Sequence, residues 1–288
     1  MYIDSITSLQ NEKVKNLINL SEKSRLRKRT GLFVVEGYRE VLHCIEAGFS
    51  IHSVYFNSTL LSSNQVDEIG KRAEEYNSNK DGNPIKFYAL SKEVYAKIAY
   101  REGTEGLIAI VHEKKRGLDD IILKNTGIQP DGNIENPLIL VVESVEKPGN
   151  LGALLRTADA CGVDAVLVCD PLTDLYNPNL IRASLGGIFT QQIAACTNEE
   201  AYQWLKKHNI SIFTAQLQDS EWYYDTNFVQ PSAIVMGNEA TGLTNFWRNV
   251  SDAKIKIPML GRLDSLNVSV SAAILCYEAV RQRKCKSR

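Results

Sequence analysis

Two short apolar runs near the C-terminal end of the chain stop abruptly. Ala233–Met236 breaks at Gly237, and Ile255–Ile257 is halted by Pro258. Apolar runs of this length bounded by turn residues read as buried strands. Beyond the second, Ser265-Leu266-Asn267 precedes a run of small apolar residues: Val268, Val270, Ala272, Ala273, Ile274 and Leu275. That pattern predicts a helix buried over most of its circumference, with cap-forming side chains ahead of it. Two strand ends and a helix start thus carry Gly237, Asn238, Glu239, Ser265 and Asn267. In an α/β sheet, ligands bind outside the carboxyl ends of the strands. A plain Gly-Asn-Glu turn beside a capped helix is the purely structural alternative.

The rest of the chain alternates in the same way. Strands are expected at Phe33–Val35, Val54–Phe56, Ile85–Ala89 and Leu107–Val111. Helices are expected at Gln10–Lys28, Tyr38–Ala47, Gln65–Tyr76 and Lys92–Ala99. This order implies a small α/β sandwich. Asn125–Pro137 is rich in Gly, Asn and Pro and reads as a loop. The expected division is a first domain over 1–113, a linker over 114–137 with a short helix at Leu118–Lys124, and a second domain over 138–288. The second domain opens on a βαβ unit. Strand Leu138–Glu143 leads through Pro148-Gly149-Asn150 into a helix with Leu151, Leu154, Leu155, Ala158 and Cys161 on one face; Gly162 ends it, and Ala165–Cys169 follows. Arg156 lies off that apolar stripe, where a surface arginine is the bland reading. Asn177–Gly187 reads as a helix. Glu221–Phe228 is polar and aromatic, and Trp222, Tyr223 and Tyr224 there suit either a lid or ordinary packing.

The formal net charge of −1 over 288 residues announces no polyanionic partner. Its distribution is more telling. Lys13, Lys15, Lys23, Arg25, Arg27, Lys28 and Arg29 face only Asp4, Glu12 and Glu22 in the first thirty residues, and the tail carries Arg281, Arg283, Lys284, Lys286 and Arg288. Two basic ends on a neutral body suggest a local phosphate contact; a solvated helix face and a solubilising tail are the alternative. Cys44, Cys161, Cys169, Cys196, Cys276 and Cys285 form no CxxC pair and suit a reducing compartment. His43, His52, His112 and His208 make no HxH or HxxxH pair, so no metal is expected. The start MYIDSITSLQ lacks a signal-peptide pattern, and no apolar run reaches the ~18 residues of a membrane span. A soluble, cytoplasmic protein is expected. No G-x-G-x-x-G follows a strand, which removes support for a Rossmann cofactor site.

Three stretches together carry a resemblance. VEKPGNLGALLRTADACG, GNEATGLT and IPM-x-G-x-x-x-SLNVSVS resemble, in order, the signature motifs of the SpoU (TrmH-like) RNA 2'-O-ribose methyltransferases. The run from Asn11 through KSRLRKRTGLFVVEGYREV to GTEGLIAIV more loosely resembles the substrate-binding domain preceding the catalytic domain in several such enzymes. The resemblance implies an α/β fold with a C-terminal trefoil-knotted methyltransferase domain of the SPOUT class, an exception to the rule against knots. A small L30e-like α/β domain would precede it.

It also implies transfer of a methyl group from S-adenosyl-L-methionine to a ribose 2'-hydroxyl of RNA, ribosomal RNA of the 23S type above all, by a homodimer. Asn150, Arg156, Glu239, Ser265 and Asn267 are the implied catalytic set. Met236, Gly237, Asn238, Ile257, Met259, Leu266 and Asn267 would hold the cofactor. Arg25, Arg27, Lys28, Arg29, Arg182 and Ser184 would contact RNA. Arg156 would grip the phosphate beside the target ribose rather than act as a base, because guanidinium resists deprotonation. The competing readings are a non-catalytic RNA-binding or ribosome-assembly factor on the same fold, and a transfer-RNA 2'-O-methyltransferase.

Overall fold

The computed structural model describes residues 3–76, 85–100, 106–123, 127–128 and 134–284. Lys286 and Arg288 of the basic tail, Cys285, and residues 125–126 and 129–133 of the expected loop lie outside them. Contacts divide the chain into two compact units: 1–115 with 174–190, and 116–173 with 191–288.

The first unit begins with a strand absent from the sequence expectation, β1 (Ile3–Ile6), followed by α1 (Glu12–Glu22) and α2 (Ser24–Thr30). One helix was expected over Gln10–Lys28. The chain instead breaks at Lys23, whose backbone is extended at φ −105°, ψ 100°. Asn11 caps α1, its side chain accepting from Lys13 N–H. Then come β2 (Leu32–Glu36), α3 (Tyr38–Glu46), β3 (Ile51–Phe56), α4 (Ser63–Tyr76), β4 (Lys86–Leu90), α5 (Lys92–Ile98) and β5 (Leu107–His112). The sheet order is β1-β4-β3-β5-β2, with β5 antiparallel to both neighbours. Val14, Leu17 and Leu20 of α1 are buried in one core with Val34, Tyr55, Tyr88, Ile108 and Ile110. This is the 3.6-residue stripe that α1 must bury.

The second unit holds a seven-stranded, wholly parallel sheet. After a single 3₁₀ turn at Leu118–Asp120, where a short helix was expected, the elements are β6 (Gly127–Ile128), β7 (Ile134–Glu135), β8 (Leu138–Glu143), α6 (Pro148–Cys161) and β9 (Ala165–Cys169). The chain then contributes α7 (Pro178–Ala183) and α8 (Gly187–Thr190) to the first unit. It returns for β10 (Ile193–Cys196), α9 (Asn198–Lys207), β11 (Ser211–Ala215), β12 (Glu221–Trp222), β13 (Ser232–Met236), α10 (Asn245–Val250), β14 (Ala253–Lys256) and α11 (Val268–Lys284). The order is β10-β9-β8-β13-β11-β14-β12. All residues of β8, β9 and β13 are buried, as a parallel sheet covered on both faces requires. From β8 the chain runs outward through β9 and β10, then resumes beyond β13. The boundary between β8 and β13 is therefore the switch point of the sheet, where a ligand crevice opens.

The excursion 174–190, which sequence order puts inside the second domain, packs with the first unit. Asp174 Oδ2 accepts from Arg27 Nε at 2.6 Å, and the Tyr176 ring stacks on Phe33 with centroids 4.3 Å apart. Both contacts join residues far apart in sequence, which no local pattern encodes. Helix α11 also departs from expectation. Only Val268, Ala272, Leu275, Cys276, Ala279 and Arg283 are buried, whereas Val270 and Tyr277 are exposed. Within one chain, the helix buries a stripe rather than most of its circumference.

Candidate active site

The carboxyl ends of β11, β13 and β14, with the start of α6, surround a cavity of about 550 Å³ in the second unit. Its walls come from Gln216–Gln218 after β11, Gly237–Leu243 after β13, Ile257 and Met259 after β14, and Ser265–Val268 leading into α11. Lys147 and Asn150 at the start of α6 complete it. Met236, Leu266 and Leu275 add apolar surface.

Three polar side chains from three separate stretches meet at this cavity. Asn150 Nδ2 donates to Glu239 Oε1 at 2.6 Å. Asn267 Nδ2 donates to Asn150 Oδ1 at 3.1 Å. Asn267 Oδ1 in turn accepts from Ser269 N–H at 2.9 Å and Ser269 Oγ at 2.7 Å, capping α11. Each amide is read at both ends, so α6, the Glu239 loop and α11 are tied in one line. A charged acceptor makes the Asn150 contact the strong member.

The Glu239 loop has its own frame. Asn238 Nδ2 donates to Ser144 C=O at 2.8 Å, and its Oδ1 accepts from Ala240 N–H at 2.8 Å and Thr241 N–H at 3.2 Å. Gly237 is crowded from behind: a Cβ there would lie 2.4 Å from the Gly242 carbonyl carbon and 2.5 Å from Leu243 N. The loop folds back over its own first residue, and only glycine permits that approach. At its far end the loop is held by Glu143, buried at the end of β8. Glu143 Oε2 accepts from Thr244 N–H at 2.8 Å; Oε1 accepts from Thr244 Oγ1 at 2.7 Å and Asn198 Nδ2 at 2.8 Å. Asn198 Oδ1 accepts from Trp247 Nε1 at 2.6 Å.

All seven residues expected to hold a cofactor line the cavity, and so do Asn150, Glu239 and Ser265. Ser265 Oγ donates to its neighbour Asp264 at 3.2 Å. Arg156 is exposed on α6 and is not among the lining residues. Sequence reasoning missed Glu143, Lys147, Gln216–Gln218 and Arg248. Gln216 was within reach of it, since it follows β11 as Gly237 follows β13. Gln216 Oε1 and Arg248 Nε are buried at the cavity wall without a hydrogen-bond partner among the described residues. An orphaned acceptor and donor there suit a polar ligand.

Two of the residues expected to contact RNA are corrected by the first unit. Arg27 is 4% exposed. Its Nε donates to Asp174, and its Nη1 to the carbonyls of Leu20, at 2.6 Å, and Ser21, at 3.0 Å. The break at Lys23 turns it inward while Arg25, Lys28 and Arg29 stay exposed. Ser184 is buried, its hydroxyl donating to Ile181 C=O at 2.7 Å and accepting from Ile188 N–H at 3.3 Å. Arg182 is half-buried with its guanidinium 3.7 Å from the Tyr100 ring centroid. In the tail, Arg283 is also buried. It donates to the carbonyls of Asn136, Pro137, Phe228 and Gln230. Burial pulls its pKa down to about 10, so it remains charged at neutral pH. Among the described residues no group of three or more His, Cys, Asp or Glu could hold a metal ion, and no helix is long and apolar enough to cross a membrane.

A parallel α/β sheet with a cavity of this size at its switch point suits an enzyme that binds a nucleotide or nucleoside cofactor. Comparison with known proteins narrows this. Residues 137–277 match the SpoU rRNA Methylase family and residues 11–109 the MRM3-like substrate binding domain. The chain is 34% identical over 190 residues to the 23S rRNA (guanosine-2'-O-)-methyltransferase RlmB of Vibrio parahaemolyticus, covering 64% of this chain and 73% of that one. It is 29% identical over 265 residues to the 23S rRNA (uridine(2479)-2'-O)-methyltransferase of Streptomyces viridochromogenes, covering 89% and 85%. The AdoMet-bound rRNA methyltransferase of Sinorhizobium meliloti superposes with a TM-score of 0.83 at 25% identity, over 99% of both chains. The chain belongs to the SpoU RNA methylase family.

Proposed function

We propose that this protein transfers a methyl group from S-adenosylmethionine to a ribose 2'-hydroxyl of 23S-type ribosomal RNA. The observation that carries the reading is the hydrogen-bonded meeting of Asn150, Glu239 and Asn267 beside the cavity. The named activities of the relatives support the same substrate class, which implies a cytoplasmic protein.

The cavity suits S-adenosylmethionine. Met236, Ile257, Met259 and Leu266 offer apolar walls for a purine, and the backbone at Gly237 stands open to it. The orphaned Gln216 Oε1 can accept from an amino group. When bound, this cofactor supplies a methyl group already activated for transfer. The protein must then align an oxygen and help remove its proton. Asn150, itself held by Asn267, holds the Glu239 carboxylate beside the cavity, where it can orient the ribose. Arg156 lies six residues beyond Asn150, about 9 Å along α6. A guanidinium offers N–H donors and no acceptor, so its role is to grip the neighbouring phosphate and stabilise the developing oxyanion. Arg25, Lys28 and Arg29 serve as phosphate contacts on the first unit.

The same reading includes a homodimer and the knotted crossing of the chain. Val270 and Tyr277, one above the other on α11, are exposed apolar surface that a second copy would cover, and Leu260 and Leu263 ahead of the helix are exposed as well.

The test is methyl transfer from labelled S-adenosylmethionine to ribosomal RNA from cells lacking the protein, followed by mapping of 2'-O-methyl positions. One new ribose methylation in large-subunit RNA is expected. Label on transfer RNA alone, or RNA binding with no label, would replace this reading with one of its two alternatives.

A further inference from the structure

The segment Glu221–Phe228 is fixed at both ends. Glu221 and Trp222 pair with β14 as the edge strand β12. At the other end, Gln282 Oε1 accepts from Phe228 N–H at 2.8 Å, and Gln282 Nε2 donates to Thr226 C=O at 2.9 Å. Arg283 Nε donates to Phe228 C=O at 2.9 Å. Thr226 and Phe228 are buried. A segment anchored by a strand and by helix α11 is no lid. Two of its rings are not core either: Trp222 is 40% exposed and Tyr224 is 49% exposed. Their planes lie within 19° of parallel with centroids 6.3 Å apart. Tyr223 meets Tyr224 edge-on at 5.3 Å and fixes its orientation. Lys256 Nζ stands 4.7 Å from the Trp222 centroid, and the same lysine lines the cavity. Glu221 turns back to accept from Thr226 Oγ1 at 3.3 Å.

Large rings held rigidly in water lose the benefit of burial unless something covers them. The geometry points to a base-stacking platform: we propose that Trp222 and Tyr224, with Lys256 beside them, take unpaired bases of the RNA strand next to the ribose being methylated. Every base has a π face, so stacked aromatics bind single strands with little sequence preference, and a lysine supplies the phosphate contact. The position fits, because Lys256 belongs to both the platform and the cavity. This deepens the RNA methyltransferase reading and rests on it for the identity of the ligand.

The test uses the full-length protein and a short labelled single-stranded oligoribonucleotide of mixed sequence. Trp204 and Trp247 are buried, so quenching of tryptophan emission on RNA addition reports Trp222. Quenching is expected in the wild type and absent in W222F, whose affinity by anisotropy stays near the wild-type value because a ring remains. W222A and Y224A should bind about 5- to 150-fold more weakly. Their slope of log K against log salt should match the wild type, since no charge is removed. K256Q should flatten that slope by about 0.7. Affinity for S-adenosylmethionine should be unchanged in W222A.

Wild-type RNA affinity in both alanine variants, or no quenching in the wild type, overturns the platform. So does a shift to monomer in W222A with RNA affinity retained, which would put a second copy of the chain on the rings. The two readings fail separately. Quenching at Trp222 in a protein that transfers no methyl group upholds the platform and removes the enzyme reading. Methyl transfer without quenching does the reverse.

Discussion

Asn150 donates to Glu239 at 2.6 Å across 89 residues of sequence, and its other amide atom accepts from Asn267. One side chain therefore joins the starts of α6 and α11 to the loop after β13. Asn150→Ala cuts both bonds at once. Hydrogen bonds to charged groups contribute roughly 1.5–3 kcal/mol, and exposure of Glu239 to solvent puts this one at the lower end. We expect at least a tenfold loss of methyl transfer with little change in melting temperature. Asn150→Asp should be worse, since it sets a second carboxylate against Glu239. Turnover and thermal melting of both variants check this; unaltered turnover in Asn150→Ala would remove the residue from the site.

Arg156 is exposed and stands apart from the cavity lining. Arg156→Ala should leave S-adenosylmethionine affinity within a few-fold of wild type and collapse methyl transfer, because the side chain acts on RNA. Calorimetric cofactor titration beside a transfer assay separates the two effects. Near-normal transfer would return Arg156 to the ordinary surface.

Gly237 has no room behind it. A methyl group in Gly237→Ala would press on the Gly242–Leu243 backbone, which cannot swing aside as a side chain could. The loop must shift, carrying Asn238 and Glu239 with it. We expect cofactor affinity to fall by an order of magnitude or more, roughly the effect of about 1.4 kcal/mol, while the sheet remains folded. Cofactor titration and circular dichroism test the two halves of that statement.

Arg27 and its basic neighbours should behave differently. Arg27→Ala leaves Asp174, with 11% of its side chain exposed, half-paired and frees two carbonyls. Breaking a buried pair in this way costs about 3–5 kcal/mol, visible as a lower denaturant midpoint. Replacing Arg25, Lys28 and Arg29 together should spare stability and flatten the salt dependence of RNA binding, by about 0.7–0.9 per lost contact. Equal salt slopes for the triple variant and wild type would leave that helix a solvated surface.

A pH effect follows from Glu68. The Tyr38 hydroxyl donates to its carboxylate, and Arg72 Nε lies 3.2 Å away. The hydrogen bond from Tyr38, with help from Arg72, holds Glu68 below its ordinary carboxylate value. Desolvation and the same bond push Tyr38 up to about 12. A carboxylate whose pKa is depressed on folding contributes stability at pH values above its unfolded pKa. That contribution disappears as pH falls through the depressed value. Glu68→Gln should therefore melt below wild type at pH 7, with the gap closing under pH ~4, near the ordinary Glu range. A gap that persists in acid would assign the loss to packing.

Much of this protein was determined by the sequence alone, because the relevant signals are local. Apolar runs ending at Gly237 and Pro258 placed β13 and β14, and the carboxyl-end rule brought Asn238, Glu239 and Asn267 to one edge. The same rule applied to β11 would have found Gln216. Charge was legible in amount but not in direction. The bend at Lys23 decides that Arg27 faces Asp174, 147 residues away, while Arg25, Lys28 and Arg29 face water. Arg283 was likewise captured by carbonyls that only folding supplies, whereas Ser184 turned back onto the carbonyl of Ile181 in its own helix. Glu143 looked like the last residue of an apolar strand, yet it is a buried anchor because Thr244 and Asn198 arrive to satisfy it. Periodicity reports which face a residue shares with its neighbours in sequence. The partner waiting across the fold is set by the long-range packing of sheet and helices, and that partner separates a phosphate contact from a structural arginine.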